Sequence, residues 1–155
     1  MKGQELLLSN QICFPIYSVS RLITMAYKPH LEALGLTYPQ YLVMMVLWEN
    51  DKLPVNQISE KLLLNTNTLS PLLKRMEKMD LVCRTRSNKD ERIVMIDLSE
   101  KGKKLKNEAK AVPEKLLTEI VSDKIEMDDM LKLKDTLCEL ITVMTDKDDI
   151  SPVSS

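Results

Sequence analysis

The chain has 155 residues, 44% hydrophobic and 29% charged, with 22 Lys+Arg against 23 Asp+Glu; that suffices for one domain with a real core and excludes wholesale disorder. Three glycines and one phenylalanine argue against an all-β chain of tight turns, and ten methionines among many leucines favour helix. No apolar run approaches the roughly 20 residues of a membrane span, and no basic-then-apolar leader opens the chain, so a cytoplasmic location away from membrane is expected.

A first helix is expected over residues 9–28. Ser9 or Asn10 can cap it, and Ile12, Ile16, Val19, Ile23 and Ala26 recur at helical spacing. Pro15 means that this helix starts late or bends. Pro29 does not force a stop, and Gly35 offers a C-terminal cap. Thr37-Tyr38-Pro39-Gln40 is a capping box for the second helix. Residues 41–48 are then apolar nearly all round, which predicts deep burial. Residues 49–52 form a polar loop.

Two short helices follow in tandem. Residues 55–63 carry Val55, Ile58 and Leu62 on one face. Leu64-Asn65 makes the turn, with Asn65 as the next cap. Residues 66–79 carry Leu69, Leu72, Leu73 and Met76 behind, and Asn67, Ser70, Pro71, Lys74 and Lys78 in front. This is the helix-turn-helix pattern. Residues 81–85 and 92–98 read as strands around a wholly polar stretch, residues 86–91, which makes a hairpin with a charged tip. Ser99 caps a helix towards Ala111, Pro113 bends it, and residues 116–121 continue it. Residues 127–144 form the last helix, with Met130, Leu133, Leu137, Leu140, Ile141 and Met144 on its apolar stripe. The tail from residue 146 is charged, then Ser/Pro-rich, and is expected to fray. The fold class is mostly α (α+β): a winged helix-turn-helix with long N- and C-terminal helices.

The charges are distributed unevenly. Residues 74–92 hold seven basic side chains against four acids, net +3, whereas residues 114–149 hold eleven acids against five lysines, net −6. A basic middle with an acidic end suits a chain whose middle meets a polyanion. On a winged helix the second tandem helix presents small polar side chains (Thr66, Asn67, Thr68, Ser70) to base edges. Lys74 and Arg75 lie further along it. Arg84, Arg86, Lys89, Asp90 and Arg92 lie on or near the wing, where the cations can neutralise phosphates or enter the minor groove.

Asp90-Glu91-Arg92 between two strands, after Leu72-Leu73-Lys74-Arg75-Met76-Glu77, resembles the wing signature of the MarR-type transcriptional regulators. The resemblance covers residues 9–145. Asn10-Gln11-Ile12-Cys13-Phe14 with Tyr17, then Tyr27-Lys28-Pro29, then Thr37-Tyr38-Pro39-Gln40-Tyr41, is similar to the organic-hydroperoxide-sensing branch and its staphylococcal-type redox relatives. The resemblance implies a homodimer whose first and last helices interlock. The dimerisation region would be residues 1–36 and 112–155, and the DNA-binding region residues 37–111. It also implies that Cys13 is the oxidised residue and that Tyr27 and Tyr38 hydrogen-bond it across the dimer interface. Pro15 just after Cys13, Thr66-Asn67 where relatives often carry a small residue and glycine, and the extra Cys83 and Cys138 are departures.

Local sequence alone leaves Cys13 open between a small buried hydrophobe and a reactive thiol. Its place near a helix start, with Tyr17 one turn on, favours the thiolate. Cys83 reads as strand core. Cys138 reads as core or dimer packing, with a resolving role towards Cys13 of the other subunit as the remaining option. His30 reads as a surface or capping residue, and Trp48 and the methionines as core. The three cysteines are no disulfide scaffold, and one histidine argues against a His-based metal site or triad. No cofactor and no metal are expected.

The resulting expectation is a non-enzymatic repressor that binds a pseudo-palindromic operator in double-stranded DNA. It is released when a peroxide, organic or hydrogen, or a low-molecular-weight thiol modifies Cys13. The alternative keeps the fold and replaces thiol oxidation by a small aromatic or phenolic ligand. A thiol peroxidase would want an Arg/Thr constellation around Cys13 that the sequence does not offer.

Overall fold

Pro15 decides where the first helix begins. In the computed structural model, which describes residues 4–122 and 124–146, a 3-10 turn over Leu8–Asn10 precedes α1, Cys13–Glu32. The expected cap at Ser9 or Asn10 is not used. Ile12 holds the cap position, and Asn10 donates its Nδ2 to the Gln4 carbonyl at 2.8 Å. A start at Cys13 puts Pro15 in the first turn, where a missing N–H forfeits no intrahelical bond. Gly35, at φ +68°, closes the far end. Leu36 N–H reaches Leu31 O at 2.9 Å and Gly35 N–H reaches Glu32 O at 3.0 Å, which satisfies two of the last carbonyls.

The capping box starts α2, Tyr38–Glu49, as expected, with Thr37 N–H donating to Gln40 Oε1 at 2.9 Å. Val43, Met44 and Leu47 of α2 are fully buried. The tandem helices are α3, Val55–Leu62, and α4, Thr66–Lys78. Their turn is built without glycine: Leu63 takes the left-handed conformation at φ +53°. Leu64 N–H bonds Ser59 O, and the Ser59 hydroxyl donates to the Leu64 carbonyl. Asn65 Oδ1 then accepts the Asn67 N–H at 2.9 Å and caps α4. Leu69, Leu72, Leu73 and Met76 are buried, as the periodicity requires.

The hairpin is β2, Val82–Arg86, antiparallel to β3, Val94–Leu98, in register from Val82↔Leu98 to Arg86↔Val94. A third strand was not foreseen. The two residues of β1, Leu53–Pro54, pair with the other side of β3, giving the order β1-β3-β2. The expected polar loop leads into it, and Asp51 Oδ1 accepts the Leu98 N–H at 2.8 Å. Pro54 is tolerated because its strand is an edge. Cys83 is a correction: it is exposed, not strand core. Side chains alternate along a strand, and Val82 takes the inward face, so Cys83 is turned out on the edge strand.

Ser99 caps α5, Glu100–Ala109, by accepting the Gly102 N–H at 2.9 Å. Pro113 sits in the first turn of α6, Val112–Ile120, and α7 spans Met127–Thr145. The tail expected to fray lies outside the described residues beyond Asp146. Trp48 is half-buried and donates Nε1 to the Gly102 carbonyl at 2.9 Å. The methionines divide. Met44 and Met76 are fully buried, whereas Met25, Met45, Met127 and Met144 are exposed, which corrects their assignment to the core. Most of the latter sit on α1 and α7, where Phe14, Ile16, Val19 and Leu22, and Leu131, Leu140, Ile141 and Val143, are exposed in a single chain too.

Two glycines test this packing. A Cβ at Gly102 would lie 2.2 Å from the Leu81 carbonyl oxygen, a backbone atom that cannot swing aside, whereas a Cβ at Gly35 meets nothing within 4 Å. Gly102→Ala is expected to lower unfolding free energy by about 2 kcal/mol or more. Gly35→Ala is expected to cost about 1–2 kcal/mol, for its left-handed backbone alone. Urea titration of both variants checks the order. Burial with Tyr27 and Tyr38 close by pushes the Tyr41 phenol up from 10.0 to about 12. The folded state therefore holds that proton longer than the unfolded chain. The resulting stability is complete below pH 10 and is lost as pH rises from there through about 12. Alkaline unfolding followed by circular dichroism should show this component and lose it in Tyr41→Phe.

Candidate nucleic-acid interface and thiol site

On one side of the molecule α4 and the β2–β3 wing frame a cleft of about 380 Å³, lined by Thr66, Ser70, Leu73, Arg84 and Arg92 among others. Thr66 and Asn67, in the first turn of α4, are exposed, and Thr68 and Ser70 are half-buried beside them. Lys74 and Arg75 are exposed on the same helix, and Arg86 and Lys89 on the wing. Arg92 stands 90% exposed, with its guanidinium bonded to Asp90. Its Nε donates to Asp90 Oδ1 and a terminal nitrogen to Asp90 Oδ2, both at 3.1 Å, while its own N–H meets Oδ1 at 3.0 Å. These bonds hold the Asp90 carboxyl below its usual range. Asp90 thus acts as an anchor for the wing cation. Arg84 is turned inward: it reaches Glu77 Oε2 at 3.5 Å, and its buried Nε has no hydrogen-bond partner.

The thiol candidates sit elsewhere. Cys13, the first residue of α1, is exposed. Tyr17 is 60% exposed and carries the Arg21 guanidinium 5.6 Å from its ring centroid. Tyr27 and Tyr38 form a tilted ring pair at 5.0 Å where α1 meets α2. Burial raises both phenols above 10.0, and for Tyr27 the neighbouring Tyr38 adds to it. The row continues from Tyr27 to Tyr41 at 5.8 Å and to Trp48 at 6.2 Å. Beside Tyr38, Met25, Lys28, Leu31 and Leu36 line a mostly apolar cavity of about 320 Å³. Cys13 and Tyr27 are fourteen residues apart on one α-helix, about 21 Å along its axis. One chain brings the two tyrosines together and keeps its own Cys13 away from them. Cys138 is exposed on α7.

Sequence reasoning missed two features here. His30 is no simple cap: its Nε2 lies 3.0 Å from Glu119 Oε1 and ties α1 to α6. Tyr41 belongs to the aromatic row. A pair separated by 89 residues leaves no local signal, whereas Tyr41 was visible in the apolar run that starts α2. Among the described residues no group of three or more His, Cys, Asp or Glu could hold a metal, and no helix is long and apolar enough to cross a membrane.

Comparison with known proteins gives these arrangements a family. Residues 25–109 match the family described as transcriptional regulator SarA/Rot. The organic hydroperoxide resistance transcriptional regulator of Bacillus subtilis (strain 168) is 42% identical over 146 residues, 94% of this chain and 97% of that protein. The HTH-type transcriptional regulator SarZ of Staphylococcus aureus (strain NCTC 8325 / PS 47) is 38% identical over 124 residues, covering 80% and 84%. Reduced AbfR bound to DNA, a structure of a Staphylococcus epidermidis protein, matches with a TM-score of 0.71 at 37% identity, over 91% of this chain and 99% of that one. With that fold, that wing and relatives matched over nearly their whole length, the chain belongs to the SarA/Rot-type, MarR-family winged-helix transcriptional regulators.

Proposed function

We propose that this protein is a homodimeric, redox-sensing repressor that binds a pseudo-palindromic operator when reduced and leaves it when Cys13 is oxidised. The observation that carries this reading is the placement of Cys13 and the Tyr27–Tyr38 pair at opposite ends of α1. A second copy running antiparallel along α1 would bring its Cys13 to this chain's tyrosines. The apolar side chains exposed on α1 and α7 support residues 1–36 and 112–155 as the dimerisation region, with residues 37–111 reading DNA. Relatives add support for redox control: AbfR has been solved reduced on DNA and in a disulfide form, and its overoxidised form has also been solved on DNA, which favours the disulfide over added oxygen as the releasing state.

The chemistry is a two-electron transfer. The Cys13 thiolate attacks the terminal oxygen of a hydroperoxide, the O–O bond breaks, and the alkoxide takes a proton and leaves as alcohol. The sulfur becomes a sulfenic acid, which condenses with a thiol to a disulfide and releases water. That thiol is either a small molecule or Cys138 of the partner subunit. The group joined to the sulfur in the disulfide disturbs its contacts with Tyr27 and Tyr38, the helices repack, and the two α4 helices lose their match to successive major grooves about 10 bp apart. A coupling of about 3 kcal/mol would weaken binding more than a hundredfold.

The test starts from a duplex selected out of a random pool by the reduced protein. Cumene hydroperoxide is expected to lower affinity about a hundredfold, and Cys13→Ser to abolish the response. Equal loss in Cys13→Ser, or no loss in the unsubstituted protein, refutes the reading. Salicylate-driven release that persists in Cys13→Ser would move the trigger to a small ligand. Log affinity should fall steeply with log salt, and Arg92→Ala should reduce that slope by about 1. Mass spectrometry after peroxide under non-reducing conditions assigns the product: a dimer mass lost in Cys138→Ser identifies the resolving thiol.

A further inference from the structure

Gln40 is only 6% exposed, and its amide works in two directions. Oε1 accepts the Thr37 N–H at 2.9 Å and closes the first turn of α2, beside Tyr38. Nε2 donates to Met79 Sδ at 3.4 Å, at the other end of the helix-turn-helix. A capping box needs only the first bond, and a glutamate would serve it. The second bond is what glutamine adds, since an ionised carboxylate has no donor. Met79 is the C-cap of α4, and it is gripped from the other side as well. Its carbonyl accepts Lys101 Nζ at 2.8 Å, and the next residue, Asp80 at φ +58°, gives its carbonyl to the Ser99 hydroxyl at 2.6 Å.

We infer that Gln40 is a positioning residue that passes the placement of Tyr38 to the C-terminal end of α4 through the Met79 sulfur. The inference rests on the reading of Tyr38 as part of the thiol site. Tyr38 is the first residue of α2, and the turn from Thr37 to Gln40 is closed by its own bond, so it moves as a unit. When it moves, Nε2 either carries Met79 along or is left as a buried donor without an acceptor. A helix of 13 residues is stiff over about 20 Å. A displacement at Met79 therefore becomes a tilt of Thr66, Asn67 and Ser70 at the opposite end, where the base edges would be read.

Two substitutions cut this link and leave the cap. Met79→Leu keeps the volume and removes the sulfur acceptor; Gln40→Glu keeps the acceptor for Thr37 and removes the donor. Operator affinities of the reduced unsubstituted protein, Tyr38→Leu, Met79→Leu and the double variant form a cycle, read with thermal midpoints for each. Tyr38→Leu is expected to weaken binding about tenfold by itself and about twofold or less when Met79 is already leucine. Additive effects overturn the inference. Peroxide-driven loss of affinity should also shrink about fivefold in both Met79→Leu and Gln40→Glu, and an unchanged loss in both overturns it too. If the unsubstituted protein ignores peroxide, the sensing role of Cys13 falls, and the cycle on reduced protein still judges the link.

Discussion

An α-helix advances 1.5 Å per residue, and that rise sets the terms for everything else. Cys13 opens a 20-residue helix, and Tyr27 stands fourteen residues further on. The helix is a rigid spacer between a thiol and the phenols proposed to serve it. Oxidation chemistry that uses both must be shared between two chains. In such a protein the sensor and the dimer interface are one object: whatever alters the sulfur alters how the subunits meet. Pro15 contributes to this arrangement. By disfavouring a start before Cys13, it leaves the thiol in the first turn, among N–H groups that have no intrahelical acceptor.

The half proposed to face DNA follows a different logic. Two of its cations are placed by acids. Asp90 grips Arg92 with two side-chain bonds and a backbone one, and Glu77 reaches Arg84 from α4. An arginine whose guanidinium is already bonded to a neighbouring carboxylate loses less conformational freedom on meeting a phosphate or a groove than a free one. The wing is tied down as well: β1 pairs with β3 on the side away from β2, and Asp51 accepts the Leu98 N–H at the end of β3. The wing packs against α4 through β2, and α4 is joined to α2 by apolar packing and by the Gln40 amide.

Much of the fold was legible because its signals are local. The capping box at Thr37-Gln40, the Asn65 and Ser99 caps and the buried face Leu69, Leu72, Leu73, Met76 each declare themselves within a few residues. What was not legible depends on distant partners or on a choice between two faces. β1 is two residues long and exists only because Ile96 and Met95 are there to pair with it. Cys83 could have faced either way until Val82 claimed the inside. His30 gains its role from Glu119, across the molecule. Within the candidate site, the cysteine and tyrosines could be named from the resemblance, and the Cys13–Tyr27 separation was implicit in one helix expected over both; the structure adds that α1 runs unbroken from Cys13. The anchoring roles of Asp90 and Gln40 were likewise invisible, since a carboxylate or an amide in a sequence does not say what it holds.

Mixed dimers test the shared site most directly. One subunit carries Cys13→Ser, and the other carries Tyr27→Phe with Tyr38→Phe. If the thiol of one chain works with the phenols of the other, the mixed dimer holds one complete site and one empty one. Trapping of sulfenic acid by a dimedone probe under limiting cumene hydroperoxide then gives a clear reading. The account predicts no Cys13 labelling in the Cys13→Ser homodimer, slow labelling in the tyrosine-substituted homodimer, and fast labelling of the isolated mixed dimer at half the unsubstituted stoichiometry. Labelling of the tyrosine-substituted homodimer at the unsubstituted rate, or no gain on mixing, would contradict it.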